Sequence, residues 1–100
     1  MIKKNSFVIV RARDAGVHAG YYQRHSGREV KLIKAIRLWR WWSSFTLSNL
    51  ALEGVLKGKE SEVRFSKPVS KLVILDACEI IECSAKARES IEGVKPWINK

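Results

Sequence analysis

Lys34-Ala35-Ile36-Arg37-Leu38-Trp39-Arg40-Trp41-Trp42 is the stretch on which the fold turns. Strict strand alternation puts Ile36, Leu38, Arg40 and Trp42 on one face and Arg37, Trp39 and Trp41 on the other, so neither face is purely apolar. Two arrangements reconcile this: a bulge near Ala35, or an edge strand that uses both faces. Upstream the stretch continues a strand over Glu29 to Ile33. That strand follows a tight turn at Ser26-Gly27, and the turn closes a hairpin on Gly16 to His25. Gly20, in the middle of that partner, marks a bulge or a close backbone approach.

Further out, Ser6 to Arg13 reads as a first strand: Val8, Val10 and Ala12 alternate with Ile9, Arg11 and Arg13, and Asp14-Ala15-Gly16 forms the turn after it. Downstream, Thr46 is the N-cap of a short helix with Leu47, Leu50, Ala51 and Leu56 at helical spacing and Gly54 near its end. Lys57 to Glu62 is a solvated loop. Val63 to Phe65, Leu72 to Leu75 and Glu79 to Glu82 are strand-like, with Asp76-Ala77-Cys78 as a break. Ser84 caps a last helix that runs through Glu92 and ends at Gly93, and Pro96-Trp97-Ile98 is expected to pack back onto the domain. This order gives an α+β fold: one domain over 1–100, built on a small mainly antiparallel sheet or partly closed barrel, with one short internal helix and a C-terminal helix.

A chain of 100 residues and 11.4 kDa buries a smaller share of its surface than a larger protein, so oligomerisation would help it. A homo-oligomer, dimer or higher, is expected. Hydrophobic content of 46% with 29% charged residues fits a folded core. The net charge of +9 points to an anionic partner. Its placement matters more than its size. Residues 1–42 carry ten basic side chains against Asp14 and Glu29, whereas residues 43–100 are nearly balanced.

Cys78 and Cys83 lie five apart, which is no zinc spacing, and on one strand they face opposite ways. They read as reduced thiols of a cytosolic protein. No stretch approaches the ~20 apolar residues of a membrane span, and the apolar run Phe7 to Val10 is too short for a signal peptide. His18 and His25, also an odd number apart, make no joint metal or acid/base site, and none of the common nucleophile, zinc or P-loop motifs occurs. Glu79 and Glu82 read as solvated strand charges. No enzyme, cofactor or metal is therefore expected.

Binding is a different matter. Trp faces stack on bases and Arg forks hold phosphates, so Arg37, Trp39, Arg40, Trp41 and Trp42 form one candidate wall of a site. Structurally, the same tryptophans can serve as core with the Arg stems lying over them. A second wall is the neighbouring strand. There His18 lies between Gly16 and Gly20, with Tyr21 close by, and Arg11 and Arg13 end the first strand. Ser43, Ser44 and Thr46, at the start of the internal helix, offer hydroxyl and N–H donors for an anion.

Read together, Ala15-Gly16-Val17-His18-Ala19-Gly20, Arg37-Leu38-Trp39-Arg40-Trp41, Leu47 to Gly54 and Glu79-Ile80-Ile81 resemble a family of small bacteriophage-encoded proteins of uncharacterised function. The likeness spans roughly residues 8–90. The chain departs from it at Trp42-Ser43-Ser44, where a small Gly/Ala-rich step is expected, and at Thr46, which replaces a Ser. The resemblance implies a phage protein acting in the cytoplasm of the infected cell and brings no catalytic residues. With it, the leading expectation is an anti-defence protein that sequesters a cyclic oligonucleotide signal without cleaving it. The alternatives are a basic DNA- or RNA-binding protein and a protein–protein inhibitor using the Arg/Trp stretch; an interfacial membrane anchor is disfavoured by the lack of an amphipathic helix.

Overall fold

The computed structural model describes residues 2–41 and 46–97. Strand β1 (Phe7–Ala12) lies between β2 (Val17–Ser26) and β6 (Ala77–Glu82). Its Phe-Val-Ile-Val run is buried on both faces because apolar layers cover the sheet on each side. Strand β3 (Glu29–Arg40) pairs with β2 through a two-residue turn, Gly27-Arg28, in which Gly27 takes the positive φ of +58° that a non-glycine residue adopts only at a cost. The outer edge of β3 is shared by β4 (Arg64–Phe65) and β5 (Val69–Ile74), both antiparallel to it. The fold is α+β, with six strands and two α-helices among the described residues, and the sheet is not closed into a barrel.

The alternation conflict in β3 is resolved by a bulge next to Ala35. Ala19 faces Ile36 while Tyr21 faces Ile33, so Lys34 and Ala35 together oppose Gly20, and Lys34 takes φ +51°. Gly20 is required there: a Cβ on it would sit 3.0 Å from the Ala35 Cα and 3.1 Å from the Ile33 carbonyl oxygen. The extra residue moves the later half of β3 into the opposite phase. Val30 and Leu32 therefore serve one core, and Ile36 and Leu38 the other. A second register shift, between Leu38 and Arg40, falls at Trp39.

One core lies between the sheet and the helices α1 (Leu47–Glu53) and α2 (Ala85–Glu92), and joins Phe7, Ile9, Ile36, Leu38, Leu50, Phe65 and Ile91. The other fills the inside of the curled sheet with Val8, Val10, Tyr22, Val30, Leu32 and Ile74. The curl follows from connectivity. β5 and β6 lie at opposite edges of the sheet, yet only Leu75 and Asp76 join them. That connection is tied down when the Ala77 N–H donates to the Arg28 carbonyl at 3.0 Å and the Arg13 N–H donates to the Asp76 carbonyl at 3.1 Å.

Both helices start at the residues whose side chains cap them. Thr46 Oγ1 accepts from the Asn49 N–H at 3.1 Å and Ser84 Oγ from the Ala87 N–H at 3.0 Å. Thr46→Ala is expected to cost about 1 kcal/mol, seen as a lower denaturant midpoint with an unchanged slope. Several boundaries differ from the sequence reading. Leu56 lies beyond α1, because Gly54 turns the chain away at φ +79°. Strand β5 begins at Val69 rather than Leu72, and β6 begins at Ala77, so the break is shorter than expected. Trp97 does pack back, its N–H donating to the Phe65 carbonyl at 2.8 Å, while Ile98 lies outside the described residues.

Candidate functional site

Strand register sets His18 directly opposite Arg37, on the concave side that Val10 also faces. The bulge makes this possible, because without it Arg37 would present its other face. His18 is only 2% exposed and is the one buried polar side chain among the described residues. Its Nε2–H donates to the Ala15 carbonyl at 2.9 Å. A carbonyl oxygen can only accept, so the proton sits on Nε2, and the neutral ring leaves Nδ1 as an acceptor. Arg37 Nη1 donates to the same oxygen, also at 2.9 Å. The Ala15 carbonyl is held in place by the turn around Gly16 (φ +84°), by the Ala12 N–H bonded to the Gly16 carbonyl, and by the Asp14 N–H bonded to Asp76 Oδ2.

Around this pair lie two hollows that share His18, Arg37 and Leu72. The larger, about 540 Å³, is bounded by Asp14, Ala15, Ile74, Leu75 and Asp76. The smaller, about 320 Å³, is bounded by Ala35, Ser66, Lys67 and Val69. Ser66 ties the second hollow to the first: its Oγ accepts from the Arg37 backbone N–H at 2.8 Å and donates to the Lys67 carbonyl at 3.0 Å. The cleft thus has a basic end at Lys67, an acidic end at Asp14 and Asp76, and the Arg37 fork between them.

Burial pushes the His18 pKa below its ordinary value of 6.5. The hydrogen bond to Ala15 opposes that shift, nearby Arg37 adds to it and Asp76 works against it. The folded protein therefore binds the proton less readily than the unfolded chain. The stability this gives is complete above the unfolded value and is lost as pH falls from about 6.5 through the folded value. The melting temperature is expected to drop on acidification below pH 6.5, and His18→Gln should flatten that part of the profile.

The other sequence-selected residues lie elsewhere. Arg11 pairs with Glu79 at 2.9 Å on the opposite face of the sheet, and Arg13 is exposed beside the β5–β6 connection. Tyr21 packs edge-on to Phe7 on the helix side, where its OH donates to Glu92 Oε2 at 2.8 Å. Burial, followed by the bond to Glu92, raises its pKa. Trp41 is half-buried against the helix-side core, Arg40 is exposed opposite Arg64, and Thr46 uses its hydroxyl within its own cap. Trp42, Ser43 and Ser44 lie outside the described residues.

Trp39 is 64% exposed, and its ring meets Trp97 edge-on at 5.0 Å, with the Arg64 guanidinium 5.7 Å from the Trp97 ring centre. This aromatic patch is a second exposed feature of the same half of β3. Sequence reading selected neither its partners Arg64 and Trp97 nor the cleft residues Ser66, Lys67, Leu72 and Asp76. For the cleft, the only local signal was Ser66-Lys67-Pro68, a break within an edge strand, since proline cannot donate to a ladder. Both cysteines are free, and burial, with Glu82 nearby, pushes the Cys83 thiol up to about 12, which leaves it protonated and unreactive.

No group of three metal-ligating side chains exists among the described residues, and no described helix is long and apolar enough to cross a membrane. No curated protein and no solved structure matches the chain significantly. A family model described as a domain of unknown function, DUF6948, matches residues 5–91, a span that contains His18, Arg37 and every other residue lining the cleft. The chain belongs to the DUF6948 family.

Proposed function

We propose that the protein holds a small nucleotide in the His18–Arg37 cleft and sequesters it without cleaving it. The observation that carries this reading is the Arg37 fork, anchored by one N–H and set beside Lys67 and the apolar wall of Leu72 and Ile74. Such a site offers a phosphate two cations and a base an apolar surface. The resemblance to small phage proteins supplies the setting: the infected host's cytoplasm, with a cyclic oligonucleotide immune signal as the ligand withheld. A two-fold homodimer would present Arg37 twice to a symmetric dinucleotide.

The test is to heat-denature protein purified from cells making cyclic nucleotides and identify released molecules by mass spectrometry. Thermal melts against cyclic di- and trinucleotides accompany it. A ligand present at a hundred times its Kd stabilises by about 2.7 kcal/mol, a rise of roughly 10 °C or more for a domain of this size. No released nucleotide and no shift across the panel would end the proposal.

A second reading, general nucleic-acid binding, is favoured by Arg13, Arg24, Arg28 and Lys31, which form no ion pair among the described residues. Salt separates the two. Raising salt from 50 to 200 mM should weaken a contact to 6 or more phosphates about a thousandfold, but a two-phosphate ligand only about tenfold. If no nucleotide of either kind binds, the Trp39–Trp97 patch becomes the surface to test as a protein–protein hot spot.

A further inference from the structure

We infer that the cleft is directional: it takes a ligand with an anionic group at the Lys67 end and paired hydrogen-bond donors at the Asp14–Asp76 end. This rests on the nucleotide reading and narrows it. Three observations point the same way. First, the two hollows share His18 and Arg37 but differ in charge, with Lys67 and Ser66 lining one and Asp14 and Asp76 the other. A phosphate fits only the first, because carboxylates would repel it.

Second, the acidic end has acceptors to spare. Asp76 Oδ2 receives the Asp14 N–H, but the Asp14 carboxylate has no hydrogen-bond or ion-pair partner among the described residues. Third, His18 Nδ1 is an acceptor on a ring that is 2% exposed and lines both hollows, and no described residue donates to it. Buried acceptors are nearly always satisfied, so a bound molecule is the natural donor. Donors close to a phosphate occur in a nucleotide as ribose hydroxyls or as the adjacent N1–H and N2–H of guanine. A carboxylate accepts either set.

Calorimetric titration of the intact protein with cyclic di-GMP, cyclic di-AMP and the 2′-deoxy form of each tests this. One lost hydrogen bond to a charged acceptor corresponds to roughly a tenfold to hundredfold weaker binding. Ribose recognition makes both deoxy forms weaker by that factor, whereas guanine recognition makes both adenine ligands weaker and leaves the sugar without effect; either result supports the directional cleft. Asp14→Asn, at an exposed position whose side chain holds no other group, should keep its fold by circular dichroism and lose the discrimination. Equal affinity for all four ligands, or discrimination that survives Asp14→Asn, overturns the inference and leaves nucleotide sequestration standing. No binding by any of the four overturns the inference, and the nucleotide reading falls with it when the cyclic trinucleotides also give no thermal shift and no nucleotide is released.

Discussion

Arg37→Ala is expected to weaken ligand binding by about tenfold to a hundredfold while leaving the fold intact, the larger factor applying if both prongs of the fork reach the ligand. The side chain is exposed, and the one bond it makes among the described residues, to the Ala15 carbonyl, duplicates the bond His18 already makes there. Removing it orphans no buried group, so stability should move by no more than about 0.5 kcal/mol. Arg37→Lys separates charge from geometry. Lysine keeps the cation but not the planar fork, so affinity should fall between that of the native protein and that of the alanine variant. Titration of the three proteins checks this, with circular dichroism confirming the fold. An alanine variant that binds normally would place the ligand elsewhere, with the Trp39–Trp97 patch next in line.

Gly54→Ala is expected to be the most damaging small substitution in the molecule, costing about 2–4 kcal/mol. Two costs combine at this site. Gly54 holds φ +79°, where an L side chain is strained by about 1–2 kcal/mol. An added Cβ would also lie 2.5 Å from the Ser90 Cβ, on a helix that cannot retreat without opening the core around Leu50 and Ile91. Ser90 is fixed in turn, since its Oγ accepts from the Val55 N–H at 2.9 Å. Denaturant unfolding of Gly54→Ala, Ser90→Gly and the double variant forms a cycle. Partial recovery in the double variant identifies the collision, and what remains is the backbone strain together with the lost Val55 bond.

How far the sequence could be read depended on whether the relevant physics was local. The strands, both helix caps and Gly54 as a terminator were legible because each depends on residues within a few positions of one another. The bulge was legible only as one of two arrangements. KAIRLWRWW cannot be half-buried in a single phase, and Gly20 lies opposite the extra residue. The choice between core and surface tryptophans was not local. Trp41 turns toward the helices and Trp39 toward solvent across the register shift between Leu38 and Arg40 opposite β4, and nothing near residue 39 announces Arg64 or Trp97. Of the expected site residues, His18 and Arg37 stand opposite each other on β2 and β3, while Ser43 and Ser44 of the expected anion pocket lie outside the described residues. Thr46 satisfies its own helix, and the other lining residues come partly from the β1–β2 loop and Ala35 but mostly from β5 and its flanks, far along the chain.

The short Leu75-Asp76 connection gives the sheet an unzipped seam. The cleft lies along it, with Leu72 and Ile74 from β5 on one bank and Asp14 and Ala15 from the β1–β2 loop on the other. A molecule bound there would act as a removable fastener between two edges that the backbone leaves unpaired. Amide protons of β5 should then exchange with solvent markedly more slowly in the complex than in the free protein. The helix side, already closed by its own core, should keep its rates.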